Sequence, residues 1–267
     1  MKHDYLKTVK VLFVIGILWE LASVLLHKEF LPGAYESVRS LIELTADGTL
    51  LPHLWASAYR IMVGTLLGLM LSIPVGLFMG VNPKVDRYLG MAFNVLYPIP
   101  KVVFLPILVV MMGVGDTSKI FLIALVLFFQ LTVVIRDAAK NIPKDVEQVM
   151  DSLGANWLQN MIHLVFPACL PEIMTSLRST LGVSTAMLFI TENFASLKGL
   201  GYYITRCMDS RDYAEMYAGI LMLGILASVL YWIIGFAEKK LCRWKIIETT
   251  NKNEIKKTDR QGMEIAG

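Results

Sequence analysis

The sequence predicts an all-α fold, a polytopic membrane bundle of about six transmembrane helices, on three observations. Hydrophobic residues make up 55% of the 267 residues and the mean hydropathy is +0.58, far more apolar surface than one water-soluble core needs. Apolar runs repeatedly approach or exceed the roughly 20 residues that a hydrocarbon core about 30 Å thick demands of a helix. Glycine and proline punctuate these runs in patterns suited to packed or broken membrane helices.

Six runs are candidate spans: 9–26, 53–79, 89–112, 120–134, 173–194 and 213–236. The first lacks a small-residue cleavage site and reads as a retained helix within an N-terminal segment, 1–27. Segment 28–52 carries Glu29, Glu36, Arg39, Glu43 and Asp47 and is too charged to span. Its Val38, Leu41, Ile42 and Leu50 suggest a short amphipathic helix at an external surface.

In the second span Gly64, Gly68, Ser72, Gly76 and Gly80 recur every four residues, a ridge of small side chains that lets a neighbouring helix approach closely. Pro74 lies off that ridge and is expected to kink the helix. The third span contains Pro98, Pro100 and Pro106 around Lys101, in YPIPKVVFLP. Prolines so spaced predict a bent or partly unwound segment, tolerated in a membrane only where protein or a water-filled cavity satisfies the freed carbonyls. Lys101 either snorkels to the cytoplasmic face or faces a translocation path. The fourth span is short unless it borrows Ser118 and Arg136. The spans from 53 to 236 form one core, and the polar tail 237–267 is expected to be disordered.

Charge distribution sets an orientation. With the N-terminus in the cytoplasm, Lys2, Lys7, Lys10, Lys84, Arg87, Arg136, Lys140, Lys144, Lys239, Lys240, Arg243 and Lys245 fall inside. Lys28, Arg39, Arg60, Lys119, Lys198, Arg206 and Arg211 fall outside, the weaker side, as the positive-inside rule requires. Both termini and the polar stretch 140–171 are then cytoplasmic.

That stretch reads KNIPKDVEQVMDSLGANWLQNMIHLVFPACLP. Pro143 suits the opening turn of a helix, and Asp145 and Glu147 suit its positive end. Gly154 marks a sharp turn. Asn156 can cap a second helix, with Gln159 placed as its capping-box partner. Leu153, Ala155, Trp157 and Leu158 put an apolar knob at the turn, either buried against the bundle or offered to another protein.

Other chemistries find little support. No Walker A pattern occurs, so any ATP must be hydrolysed by another chain; GVGDTS at 113–118 lacks both the glycine-lysine pair and a preceding strand. His3, His27, His53 and His163 lack ligand spacing, and Cys169, Cys207 and Cys242 lack paired spacing, so neither a metal, a cofactor nor a disulfide framework is expected. No nucleic-acid stripe, GxSxG elbow or HExxH pair exists. Glu20, Gln130, Arg178 and Glu192 are the polar residues in or near spans, each a functional candidate by default. Arg178 is expected to snorkel inward.

The 140–171 stretch resembles the EAA loop of permease subunits of bacterial ABC importers. Gly154 and Pro167 match its pattern, and Leu164 fits an aliphatic position. Phe166 stands where a leucine would be, while Gln148, Val149 and Met150 replace the acidic-alanine start, with Glu147 one residue earlier. HLWASAYRIMVG, IPVGLFMG, YPIPKVVFLPILVVMMGVGDTSKI, SLGANW and GLGYYI resemble the nitrate, sulfonate and taurine branch, a likeness running from about residue 51 to 236. The resemblance implies a homodimer in a bacterial or archaeal plasma membrane, two cytoplasmic ATP-binding subunits and an external solute-binding protein. It assigns ATPase coupling to Gln148, Leu153, Gly154, Ala155, Trp157 and Pro167. Pro98, Pro100, Lys101 and Glu192 become candidates for the path or its gate, Glu192 either near the outer end of the path or as a satisfied structural carboxylate. The cargo it implies is a small solute such as nitrate, a sulfonate or taurine, or alternatively a thiamine-precursor pyrimidine. A self-sufficient channel or secondary transporter would instead predict two similar halves, and no internal repeat of hydropathy is visible.

Overall fold

A computed structural model describes residues 2–194 and 196–244, with side chains from residue 10 onward; most of the predicted tail lies outside the described residues. Among those residues the chain is built of helices alone. In order they are α1 (Lys2–Leu26), α2 (Ala34–Ala46), α3 (Leu51–Val81), α4 (Pro83–Leu96), α5 (Leu105–Met112), α6 (Asp116–Lys140), α7 (Lys144–Ser152), α8 (Trp157–Asn160), α9 (Phe166–Asn193), α10 (Leu200–Ser210) and α11 (Tyr213–Leu241). Among the described residues α3, α6, α8 with α9, and α11 are each long and apolar enough to cross a membrane, and α4 with the 101–112 segment passes the same test as a pair bent by 80°, either a broken span or a re-entrant loop. The first predicted run lies within α1.

Polar residues at the ends explain where several helices start and stop. Asn82 accepts hydrogen bonds from the amides of Lys84 and Val85 at 3.0 and 3.3 Å, and Pro83 follows as the first residue of α4, where its missing N–H costs nothing. The fourth span is longer than its apolar run because Asp116 opens α6 and Lys140 closes it, each charge opposing the helix dipole. Helix α3 runs on through Pro74 as a single 31-residue helix.

Packing divides the chain into two compact units. The first takes α1, α2, α3 as far as Thr65, Val102–Ile123 and Val183–Ser228; the second takes Leu66–Lys101, Ala124–Gly182 and, among the described residues, 229–244. In the first unit α1 and α2 form a hairpin. Ser23 Oγ donates to Leu31 O at 2.8 Å, Trp19 Nε1 donates to Pro32 O at 3.1 Å, and Glu20 accepts from the Tyr35 amide at 3.1 Å. The amphipathic helix expected in segment 28–52 is α2, with Ser37 buried and Tyr35, Val38 and Ile42 exposed.

The small-residue ridge of α3 packs on α6. A Cβ added to Gly64 would lie 2.8 Å from Ile123 Cγ2 and 3.1 Å from Ile120 O, in the first unit. In the second unit one added to Gly68 would lie 2.8 Å from Leu127 Cβ, and one added to Gly76 would lie 2.7 Å from Ile135 Cβ. Gly80 meets Ala139. Partners advance along α6 as the glycines advance along α3, so the two helices run parallel. Helix α6 is buried in both units: Leu122 and Ile123 in the first, and Leu127, Leu131 and Ile135 in the second, are fully buried.

The contact predicts its own failure. Gly76→Val forces a branched side chain onto Ile135 and the Thr132 carbonyl, 3.0 Å away, at a cost of about 1–3 kcal/mol. Gly224, with nothing within 4 Å of its added Cβ, tolerates alanine. Thermal unfolding of the purified chain in detergent should separate the two variants.

Candidate functional site

The helix, turn, helix expected around Gly154 is present, and its geometry follows from four residues. Helix α7 ends in a Schellman turn: the Gly154 amide donates to Asp151 O at 3.0 Å and the Ala155 amide to Met150 O at 3.1 Å. This closure needs a left-handed residue, and Gly154 takes φ +74°. Asn156 and Gln159 then form the capping box, the Gln159 amide donating to Asn156 Oδ1 at 2.9 Å and the Asn156 amide to Gln159 Oε1 at 2.8 Å. Pro143 sits one position before α7, as its N-cap, and Asp145 and Glu147 occupy the first turn.

Backbone groups at the turn are therefore satisfied, while its apolar side chains are not covered. Leu153 is 77% exposed, with Val149, Trp157, Leu158 and Ile162 also exposed. Trp157 meets Phe78 at a tilt, ring centroids 5.3 Å apart. Of the two fates open to the knob, burial or presentation, the side chains adopt presentation. Gln148 is exposed, its carbonyl taken by Ser152 Oγ at 2.8 Å. Pro167 is not part of the turn. It is the second residue of α9, directly after a π-helical turn over Met161–Val165, a widening that accommodates a ring with no N–H to give and a clash with the preceding turn. Segments α8, π turn and α9 run as one helix from Trp157 to Asn193.

Pro98, Pro100 and Lys101 come together at the break between α4 and α5, where the chain turns through 80° before a 3-10 turn over Lys101–Phe104. Residue 100 is a proline, so it cannot donate to Leu96 O as a continuing helix would. The Lys101 ammonium takes that role, donating to Leu96 O at 2.8 Å and Tyr97 O at 2.7 Å, with the Phe129 ring 4.5 Å from Nζ. Lys101 thus caps the broken helix, and the ring beneath it adds a cation–π contact.

Glu192 belongs to the first unit and has different company. It is fully buried, accepting from Ser57 Oγ at 2.8 Å, Arg60 Nη1 at 2.8 Å and the Gly201 amide at 2.8 Å. Arg60 also donates to Lys198 O at 2.7 Å and from Nε to Asp116 Oδ1 at 2.7 Å. Ser57 Oγ accepts from the Leu200 amide at 2.8 Å, and His53 Nδ1 lies 3.1 Å from the Gly199 amide. One face of α3 thus fastens the segment leading into α10 to the end of α9 and the start of α6. Of the alternatives for Glu192, the contacts are those of a satisfied structural carboxylate.

Arg60 and Lys119, two of the charges expected on the outer side, are buried. Arg60 is 5% exposed and Lys119 fully buried, its Nζ donating to Val114 O and Gly115 O at 2.9 Å each. A signal for Arg60 was available: His53, Ser57 and Arg60 lie four and then three residues apart, on one helix face, the last within an apolar run. In the second unit Arg136 pairs with Asp86 at 2.6 Å beside Lys140, and Arg178 pairs with Glu238 at 3.0 Å. Cys169, Cys207 and Cys242 are all buried. Burial chiefly pushes Cys207 up to about 11, so its thiol stays protonated at neutral pH.

The chain is similar to known proteins over most of its length. Residues 72–243 match the family described as binding-protein-dependent transport system inner membrane component. The taurine transport system permease protein TauC of Escherichia coli (strain K12) is 30% identical over 237 residues, 86% of this chain and 86% of that protein. The formylaminopyrimidine transport permease protein ThiX of Halalkalibacterium halodurans is 27% identical over 248 residues, 92% of this chain and 99% of that protein. A chain of the MetNI methionine ABC transporter in an inward-facing conformation has the same fold, with a TM-score of 0.63 at 20% identity over 73% of this chain and 94% of that chain.

Arg60→Met leaves the Glu192 carboxylate buried without its cation and should cost roughly 3–5 kcal/mol. Adding Glu192→Gln to it should recover part of that loss, because the unpaired charge is removed while a side-chain oxygen remains to accept from Ser57 or the Gly201 amide. Denaturation midpoints of the two single variants and the double variant, taken as a thermodynamic cycle, check this.

Proposed function

The chain belongs to the binding-protein-dependent transport system inner membrane component family, and from that premise we propose how its parts act. It is the permease subunit of an ATP-binding-cassette importer, a membrane transport component and not an enzyme; ATP is hydrolysed by a partner subunit, and a solute-binding protein is the other partner its family implies.

The exposed apolar turn at Leu153 and Gly154 is the contact for the ATPase, and this exposure is the observation that carries the reading. A joint that transmits motion must be rigid in itself and matched in shape to its partner, since only differential contact energy biases a two-state equilibrium. The Schellman turn and the capping box supply rigidity; Leu153, Ala155 and Trp157 supply the surface, with Gln148 at its edge. Displacement of the turn enters α8 and continues through the π turn ahead of Pro167 into α9. Two copies of the chain enclose the path, with Pro98, Pro100 and Lys101 holding a broken helix beside it, and the Glu192 pair bracing the segment before α10. Both termini and the coupling turn face the cytoplasm.

The cargo is a small solute of the taurine and sulfonate kind, in keeping with the 30% identity to TauC. Coverage of 99% of ThiX favours a pyrimidine precursor as the second reading.

Leu153→Glu places charge on the contact without touching the core. The affinity for the ATPase should fall by at least about 30-fold, the loss of a hot-spot contact of about 2 kcal/mol. Uptake driven by ATP in reconstituted vesicles should fall with it, at an unchanged unfolding temperature. Retention of the ATPase and of uptake by this variant would refute the coupling assignment.

A further inference from the structure

The coupling turn, the first part of α9 and the last part of α11 all lie in the second unit, and a polar clasp joins the two spans there. Thr175 and Arg178 are three residues apart on α9, while Tyr231, Gly235 and Glu238 are four and then three apart on α11, so each set shares one helix face. Thr175 Oγ1 donates to Glu238 Oε1 at 3.1 Å, and Arg178 Nη1 lies 3.0 Å from Glu238 Oε2. Both carboxylate oxygens are therefore held from α9. On its way the Arg178 side chain crosses α11 at Gly235, where an added Cβ would lie 3.8 Å from Nη1. Its guanidinium stands 5.3 Å from the centre of the Tyr231 ring, a cation–π contact.

Between Leu230 and Cys242, both buried, no residue is buried, and Tyr231, Trp232, Ile233, Phe236 and Leu241 are exposed. Apolar contacts are non-directional and let packed helices slide. A carboxylate held on both oxygens fixes register instead, and at this end of α11 little apolar surface is buried to share that task.

Helices α8 and α9 with the π turn between them run on from Trp157 as one helix, so Arg178 sits on the element that the coupling turn moves. We propose that Arg178 and Glu238 are positioning residues for transport. They lock the end of α11 to α9, so that a displacement entering at the coupling turn moves both spans together. The inference rests on the coupling reading above and adds a second moving span to it.

Arg178→Met and Glu238→Gln each release the clasp, whereas Arg178→Lys keeps a cation for the carboxylate. Spin labels replace Ser179 on α9 and Phe236 on α11, both exposed, in the full chain assembled with its ATP-binding partner in lipid nanodiscs. Cys169, Cys207 and Cys242 are changed to alanine, and labelled chain is diluted in an excess of unlabelled chain. The label separation is read without nucleotide and with ATP trapped by vanadate. In the parent chain and in Arg178→Lys it should be the same in both states. In Arg178→Met and Glu238→Gln it should differ between the states by at least about 2 Å, the scale of helix shifts in such transitions, at unchanged affinity for the ATPase. A separation that stays equal in both states in those two variants marks a static contact and overturns the inference. So does a parent chain whose own separation changes with nucleotide. Leu153→Glu is measured in parallel: full ATPase affinity in that variant removes the coupling reading and this inference with it. Loss of affinity there, beside equal separations in the clasp variants, overturns this inference alone.

Discussion

A membrane interior offers no water to complete the coordination of a charge or of a carbonyl released from a helix, so each must find its partner within protein. Glu192 shows the constraint in its strongest form. Its carboxylate is fully buried and bonded to Ser57, Arg60 and the Gly201 amide, and Arg60 is in turn shared with Asp116 and Lys198. Meeting one charge thereby positions the end of α9, the start of α6 and the entry to α10. Lys101 meets the same demand differently. Proline at position 100 takes away a donor, and the next residue returns it from its side chain. A lysine within a span is here a part of the bend rather than an intruder in it.

The turn at Gly154 inverts this arrangement. Its backbone is satisfied by two interlocking caps, while Leu153 and its apolar neighbours are left uncovered. A rigid frame holding apolar side chains away from its own bundle suits a surface completed by another protein. Because α8 continues into α9, the frame is also the first turn of a spanning helix, and a push on it becomes a movement of that helix.

The elements were legible where local chemistry determines them. The capping box at Asn156 and Gln159, the left-handed Gly154, the break at Pro98 and Pro100, and the glycine ridge of α3 each depend on residues close in sequence. The parallel packing of α3 on α6 was visible as a ridge without a partner, since nothing in 64–80 names residues 120–139. Long-range pairing was not legible: Arg60 and Glu192 are 132 residues apart, and an arginine near a span end reads equally well as solvated. Fold topology alone brings the carboxylate to it. The state of the apolar knob was likewise undecided, because burial against the bundle and presentation outward need the same residues.

The most direct test of the coupling account is amide hydrogen exchange across the whole chain, alone and with its ATP-binding partner in the nucleotide-bound state. The account predicts that the largest gain in protection falls on residues 148–159, with a smaller change extending along α9. Protection that leaves 148–159 unchanged and falls elsewhere would contradict it.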